Sequence, residues 1–142
     1  MIPLSVTVDL LNTYTINMAG HIGIQFTDVG SNFMCAKMPV DERTKQPMGL
    51  LHGGASVVLA ESLGSLASNV MVDQSKQYCV GLEINANHLK SVSSGYVYGR
   101  ATIVHAGKKT HVWDIRITNE NNELVCISRL TVAVVDKRNL VG

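Results

Sequence analysis

Glu61 is the only charged residue between Gly53 and Val72, a segment with the composition of a helix. Apolar residues recur along it at helical spacing, at Leu59, Leu63, Leu66 and Val70. The opposite face, where a surface helix carries several charges, holds only small and apolar residues around the one carboxylate. Because such a helix is expected to be covered on most sides, Glu61 is predicted to lie in dry or partly dry surroundings. Carboxylates in that setting are often tuned for catalysis, and pairing with a buried Arg or His is the alternative.

Two glycines, Gly53 and Gly54, stand at the start of this helix. The first backbone N–H groups of a helix have no partner inside it and lie at the positive end of its dipole. Since Gly53 has no side chain, a carbonyl oxygen could approach its N–H closely. The same glycines would also permit a tight turn from the preceding loop into the helix.

The elements around this helix, predicted over Leu50 to Ser68, divide into a helix-led first half and a strand-rich second half. Before it we predict a short weak helix over Val8 to Met18. Two strands, Gly23 to Thr27 and Phe33 to Met38, are joined by a turn at Asp28 to Ser31. A polar loop over Pro39 to Gly49 then leads into the long helix. After it come four strands, at Tyr78 to Lys90, Tyr96 to His105, Thr110 to Thr118 and Glu123 to Val135. The order predicts one α+β domain over residues 1–142, with an antiparallel sheet wrapped around one long central helix.

Composition excludes several classes of protein. A chain of 142 residues with 46% apolar and 16% charged residues suits one globular domain. The net charge of +1 offers no global field for binding nucleic acid or membranes. Neither a signal peptide nor a membrane-spanning run is recognisable, so a cytoplasmic protein is expected. Cys35, Cys79 and Cys126 are far apart and odd in number, and are predicted to be reduced core thiols.

Four segments carry a resemblance to a known family: TKQPMGLLHGGASVVLAES, VGLEINANHLK, AGKKTHVW and CISRLTVAVV. From about Gly20 to Val135 the chain resembles the small bacterial acyl-CoA thioesterases of the hot-dog fold in which HGG is followed by a glutamate. These include the enzymes that act on 4-hydroxybenzoyl-CoA and 1,4-dihydroxy-2-naphthoyl-CoA. The resemblance implies hydrolysis of acyl-CoA, with aromatic or medium acyl groups, without a cofactor.

The resemblance also implies roles for four residues, and helical spacing suggests a role for Ser65. Glu61 would be the nucleophile or the general base, a choice that the sequence leaves open, and the Gly53 N–H would polarise the thioester carbonyl. Gln46 and His52 match a pair that orients the thioester or its leaving group, although His52 could be an ordinary loop histidine. Ser65, one turn after Glu61, could bind Glu61 or the attacking water, or could serve packing alone.

Residues implied to contact coenzyme A form two clusters. They are Gly81, His88, Leu89, Lys90 and Ser91 on one strand, and His105, Ala106, Gly107, Lys108, Lys109 and Thr110 in one turn. They offer cations and hydroxyl groups to the phosphates. Lys90 stands where many relatives have Arg, which removes bidentate phosphate geometry. Lys108 and Lys109 could equally belong to a solvated turn.

The spacing of Gly53 and Glu61 bears on assembly. Eight residues at about 1.5 Å each separate their backbones by roughly 12 Å along the helix, too far for both to act easily on one carbonyl. Two antiparallel copies of the helix would bring Glu61 of one beside Gly53 of the other. The resemblance implies this homodimer, and a dimer of dimers beyond it.

Other chemistries fit the sequence less well. The five histidines lack the paired spacing of metal ligands, and no G-x-S-x-G indicates a serine hydrolase. The His-Phe-Pro and Asp-x-Asn-Pro-x-His patterns of hot-dog dehydratases are also absent. The chain could instead be a non-catalytic acyl-CoA-binding or regulatory module on the same scaffold, but a pure binder has no need for a desolvated Glu61.

Overall fold

The computed structural model describes residues 1–137, so the last five residues of the predicted domain lie outside the described residues. The helices are α1 (Val8–Asn12), α2 (Asn17–His21) and α3 (Gly53–Val70). The strands are β1 (Gln25–Gly30), β2 (Phe33–Pro39), β3 (Gln77–His88), β4 (Tyr96–Ala106), β5 (Thr110–Asn119) and β6 (Leu124–Asp136). All pairings are antiparallel, and α3 packs against one face of the six-stranded sheet. The predicted α+β architecture is confirmed.

The packing of α3 on the sheet follows from its apolar stripe and one small residue. Leu59 and Leu63 are fully buried against the sheet, as the helical spacing predicts. A Cβ atom on Gly64 would approach Leu130 Cδ2 to 2.6 Å, so glycine lets the helix sit close to β6. Trp113 Nε1 donates a hydrogen bond of 2.9 Å to Ser68 Oγ inside this contact. These contacts fix the position of α3, and of the side chains that it carries, relative to the sheet.

The strand order differs from a simple run of four successive strands. The order is β1-β2-β4-β5-β6-β3, so β3 pairs with β6 at the sheet edge and β2 takes the place beside β4. The chain therefore crosses the sheet through α3 and crosses back between His88 and Tyr96. An edge strand presents unpaired backbone groups along one side. This edge bears the exposed side chains of Val80 and Leu82.

The N-terminal predictions are wrong in detail. The helix predicted over Val8 to Met18 is two short helices, because Asn12 turns its side chain to the Phe26 backbone and Asn17 adopts a positive φ of 53°. The predicted turn at Asp28 to Ser31 lies later, since a bulge between Phe26 and Asp28 extends β1 to Gly30.

Two of the three cysteines match their prediction. Cys79 and Cys126 are buried in the core, and burial raises the pKa of Cys79 to about 11. Cys35 is wrongly assigned to the core. It alternates with the buried Met34 and Ala36, so its half-buried thiol lies on the other face of β2, 3.6 Å from the Arg100 guanidinium.

Candidate active site

The first turn of α3 leaves one backbone donor without a partner. The Gly54 N–H donates to His52 Nδ1 at 2.8 Å, and the N–H groups of Ala55 and Ser56 donate to the His52 carbonyl oxygen. Within residues 1–137 no acceptor binds the Gly53 N–H. This donor therefore remains available at the positive end of the longest helix described.

His52 acts as the N-cap of α3, a role that the sequence prediction missed. Its Nδ1 atom accepts the Gly54 N–H, which assigns the ring proton of the neutral form to Nε2. Capping usually falls to Ser, Thr, Asp or Asn, so an N-cap histidine gives little signal in the sequence. The ring also lines a small cleft of about 200 Å³ beside Met18, Ile22 and Val58. The N-cap bond is a structural role, so the predicted part of His52 in orienting the thioester or its leaving group remains a prediction.

A larger cleft of about 310 Å³ opens at the Gly53 end of α3. Its lining consists of Leu50, Leu51, Gly53, Ser56, His88, Leu89, Lys90, Ser91 and Val125. The fold thus brings Gly53 together with four of the residues that the resemblance assigns to coenzyme A. The His88 ring covers Gly53 so closely that a Cβ atom there would lie 2.7 Å from its Nε2 atom. Val125, on β6, and Ser56 were not identified as lining residues from the sequence.

Glu61 lies on the half-buried side of α3, above the edge strand β3. Within the described residues its carboxylate forms no salt bridge, so pairing with a buried Arg or His is not observed. A Cβ atom on Gly81 would collide with the Glu61 carboxylate oxygen. Gly81 therefore leaves the space that the carboxylate occupies, a contact that the sequence prediction did not foresee.

Among the described residues, Gln46 and Ser65 form hydrogen bonds only with their own local segments. The Gln46 side-chain oxygen accepts the Met48 N–H within a turn that ends at Gly49, where φ is +81°. Ser65 is half-buried, and its backbone oxygen accepts from Asn69 Nδ2 at 2.9 Å. Within residues 1–137, no hydrogen bond joins Ser65 to Glu61. The role of Gln46 in orienting the thioester, and that of Ser65 in binding the attacking water, remain predictions.

Lys90 already has an anionic partner. Its Nζ atom lies 2.7 Å from Glu123 Oε1, and hydrogen bonds from Lys90 and then from Asn119 hold the pKa of Glu123 below its usual value. Both side chains of the pair are about half exposed, so solvent weakens the interaction. Lys90 can still turn toward a phosphate, but with less positive potential than an unpaired lysine offers.

The second predicted cluster lies at the other end of the sheet. His88 pairs with Cys126 of β6, and Thr110 pairs with Ala133 of the same strand. Seven residues of β6, at about 3.4 Å each, therefore separate His88 from Thr110 by roughly 24 Å along the strand. The turn is tight, with the Gly107 N–H donating to the Thr110 oxygen at 2.9 Å. One chain therefore keeps His88–Ser91 apart from the Lys108 turn. Gly81, predicted to lie with His88, instead pairs with Val132 at the end of the sheet that carries the turn.

The turn borders a polar cavity of about 420 Å³. Lys108 lines it together with Asp73, Gln77 and the buried His111. Burial lowers the pKa of His111, which favours the neutral ring at pH 7. Lys108 and Lys109 are exposed and form no salt bridge within the described residues, so their charges are available to an anion.

Among residues 1–137, none of the helices has both the length and the hydrophobicity of a membrane span.

Comparison with known proteins identifies the family. A family model described as the thioesterase superfamily matches residues 48–126, the stretch from the loop before α3 to β6. The chain belongs to the thioesterase superfamily. This thioesterase is 49% identical over 131 residues to the 1,4-dihydroxy-2-naphthoyl-CoA hydrolase of Escherichia coli, covering 92% of this chain and 96% of that protein. It is 43% identical to the proofreading thioesterase EntH of Cronobacter turicensis, over 91% and 94% of the two chains.

Solved structures agree with this assignment. A mutant of thioesterase PA1618 from Pseudomonas aeruginosa superposes with a TM-score of 0.91 and 50% sequence identity, covering 93% of this chain and 96% of that one. The hot-dog fold and the thioesterase activity implied by the sequence resemblance are both confirmed.

Proposed function

We propose that this thioesterase hydrolyses acyl-CoA, with aromatic or medium-length acyl groups, to the free acid and coenzyme A. The observation that carries the proposal is the pair of unpartnered groups on α3, the Gly53 N–H at the mouth of a cleft and the Glu61 carboxylate. The N–H stabilises the oxyanion that forms when the carbonyl is attacked. In one route Glu61 attacks the carbonyl, the C–S bond breaks, and water hydrolyses the resulting mixed anhydride and supplies the proton of the thiol. In the other, Glu61 takes a proton from the attacking water and passes it to the departing thiolate as the C–S bond breaks.

The active unit in this proposal is a homodimer. Within one chain, about 12 Å of helix separates the backbones of Gly53 and Glu61. Two observations support a second copy as the missing half of the site. The half-buried side of α3, with Val57, Val58 and Glu61, lacks charged residues other than the carboxylate, and the adjoining β3 edge exposes Val80 and Leu82. Joining two β3 edges antiparallel would cover both surfaces and place Glu61 of one chain near Gly53 of the other.

A dimer would also reconcile the two coenzyme A clusters. One chain separates His88–Ser91 from the Lys108 turn by roughly 24 Å. Antiparallel pairing reverses the second sheet, so the turn of one subunit approaches the Gly53 cleft of the other. Each substrate would then contact both chains. Pairing of two such dimers into a tetramer remains a prediction.

A panel of acyl-CoA thioesters tests the proposed activity. We expect thiol release from benzoyl-, hydroxybenzoyl- and hexanoyl-CoA, with the aromatic members turned over fastest, as the identity to a naphthoyl-CoA hydrolase suggests. A thiol-reactive dye measures the rate, and heat-denatured protein is the control. Tight acyl-CoA binding without thiol release from any member would favour the non-catalytic binding module instead.

The Lys108 turn gives a separate prediction about the thiol half. Replacing Lys108 and Lys109 together by Ala should raise KM for acyl-CoA several-fold while kcat changes little, because the lysines would contact only the nucleotide phosphates. The same acyl group on N-acetylcysteamine, which lacks phosphates, should show no change. The exposed Lys76, paired with Asp73, offers a matched control as Lys76→Ala. Equal effects on both substrates would place the turn away from coenzyme A.

A further inference from the structure

Ser56 is a buried polar residue for which the proposed mechanism has no use. Its side chain is on α3, one turn after Gly53, and only 1% of the residue is exposed. No hydrogen bond joins its hydroxyl to another group within residues 1–137, although serines in helices can bond to the carbonyl one turn back. The hydroxyl oxygen is not among the fully enclosed atoms that lack a partner, so it reaches the cleft. Because the hydroxyl faces the cleft and has no partner in the described residues, it is available to a ligand that enters the cleft.

The surroundings of Ser56 indicate where that partner would lie. The residue lines the 310 Å³ cleft beside Gly53, and its oxygen keeps access to the cleft. The other polar side chains of this cleft, on His88, Lys90 and Ser91, are exposed at its rim. Deeper in, the cleft wall is apolar, with Leu51 and Val125. Ser56 is therefore the one buried polar side chain among the described lining residues.

Helix geometry sets the distance between Ser56 and the reacting carbonyl. A carbonyl oxygen bound to the Gly53 N–H lies beyond the N-terminal end of the helix, and Ser56 is three residues into the helix. The carbonyl oxygen and the Ser56 hydroxyl oxygen are therefore on the order of 6 Å apart. That is too far for both groups to bind one oxygen. In a thioester of a cysteamine unit, four bonds, on the order of 5 Å, separate the carbonyl carbon from the first amide nitrogen.

We propose that the Ser56 hydroxyl accepts a hydrogen bond from the first amide N–H of the pantetheine arm. This inference rests on the proposed hydrolysis of acyl-CoA and adds how the enzyme recognises the thiol. With the carbonyl at Gly53, the arm would run along the cleft toward Ser91, and its first polar group would meet the buried Ser56 hydroxyl. Ser56 is thus a substrate-binding residue that selects thioesters of the pantetheine class.

A pair of small substrates isolates this one hydrogen bond. A benzoyl thioester of N-acetylcysteamine carries the amide N–H, and the benzoyl thioester of 2-acetoxyethanethiol has an ester oxygen in its place. We expect the wild type to prefer the amide substrate by about tenfold in kcat/KM, the size of one hydrogen bond. Ser56→Ala should lose that preference by losing activity on the amide substrate alone.

Ser68→Ala is the matched control because Ser68 is equally buried on the same helix and its hydroxyl accepts from Trp113 Nε1. It should lower the melting temperature and keep the substrate preference. Ser56→Ala should leave the melting temperature nearly unchanged, since the hydroxyl has no hydrogen bond to the described residues. Loss of activity on both substrates equally, or no loss on either, would overturn the role of Ser56. Failure of the wild type on acyl-CoA itself would instead overturn the proposed function.

Discussion

Replacing Glu61 by Gln is expected to lower thioester turnover by a factor of roughly a hundred or more, the usual cost of losing a positioned base or nucleophile. Gln retains the shape of the side chain but can neither attack a carbonyl nor take a proton from water. Since the carboxylate has no ionic partner among the described residues, the fold does not depend on its charge. Affinity for coenzyme A should therefore change little. Steady-state thiol release and calorimetric binding measure the two effects.

Glu120→Gln provides the control for this substitution. Glu120 is an exposed carboxylate in the turn between β5 and β6, and its replacement should leave turnover unchanged. Near-normal activity of purified, folded Glu61→Gln would remove Glu61 from the chemistry.

Gly81 allows an independent test of the same carboxylate. Ala at this position would bring a methyl group against the Glu61 carboxylate oxygen, so the carboxylate must move. We expect Gly81→Ala to reduce kcat while Glu61 itself remains intact. If Gly81 served coenzyme A binding alone, KM would rise and kcat would stay unchanged.

The second large effect is recovery of activity from two inactive proteins. Gly53→Val places a side chain against the His88 ring, where the thioester carbonyl would bind, and should be inactive alone, as should Glu61→Gln. In a mixed dimer the intact Glu61 of one chain meets the intact Gly53 of the other. When the two variants are mixed in equal amounts, about half of the dimers are mixed, and each mixed dimer has one intact site of its two. About a quarter of wild-type activity should therefore return.

This experiment requires that chains exchange, so the two variants are unfolded together and refolded. Different affinity tags allow the mixed dimer to be isolated, and each variant refolded alone supplies the baseline. If isolated mixed dimers have no activity, Glu61 acts on a substrate bound within its own chain. If wild type refolded in the same way is monomeric and fully active, the shared site is excluded as well.

The candidate site concentrates polar groups that lack partners. The Gly53 N–H, the Ser56 hydroxyl and the Glu61 carboxylate all lie on α3, and none has a partner within residues 1–137. Groups of this kind lower folding stability and are retained when function needs them. The same helix carries Ser68, whose hydroxyl is paired and structural, so an unpaired group is not simply a property of serines in α3.

Local patterns in the sequence determined the elements and the residues able to do chemistry. The spacing of Leu59 and Leu63 predicted the helix and its buried face, and the absence of other charges singled out Glu61. The second-half strands were predicted to within about two residues, because alternation and turn residues act between near neighbours. The short N-terminal helices were harder, since the side chain of Asn12 bonds to a distant backbone at Phe26.

Only the tertiary structure decided which of these residues meet. The placement of β3 beside β6, at the edge, puts Gly81 under Glu61 and His88 over Gly53. It also separates the Lys108 turn from His88, although the sequence suggested one common binding site. These contacts join segments far apart in the chain, and their geometry depends on how α3 packs on the whole sheet. Periodicity reports which face of an element is buried, but it does not report which element lies against that face.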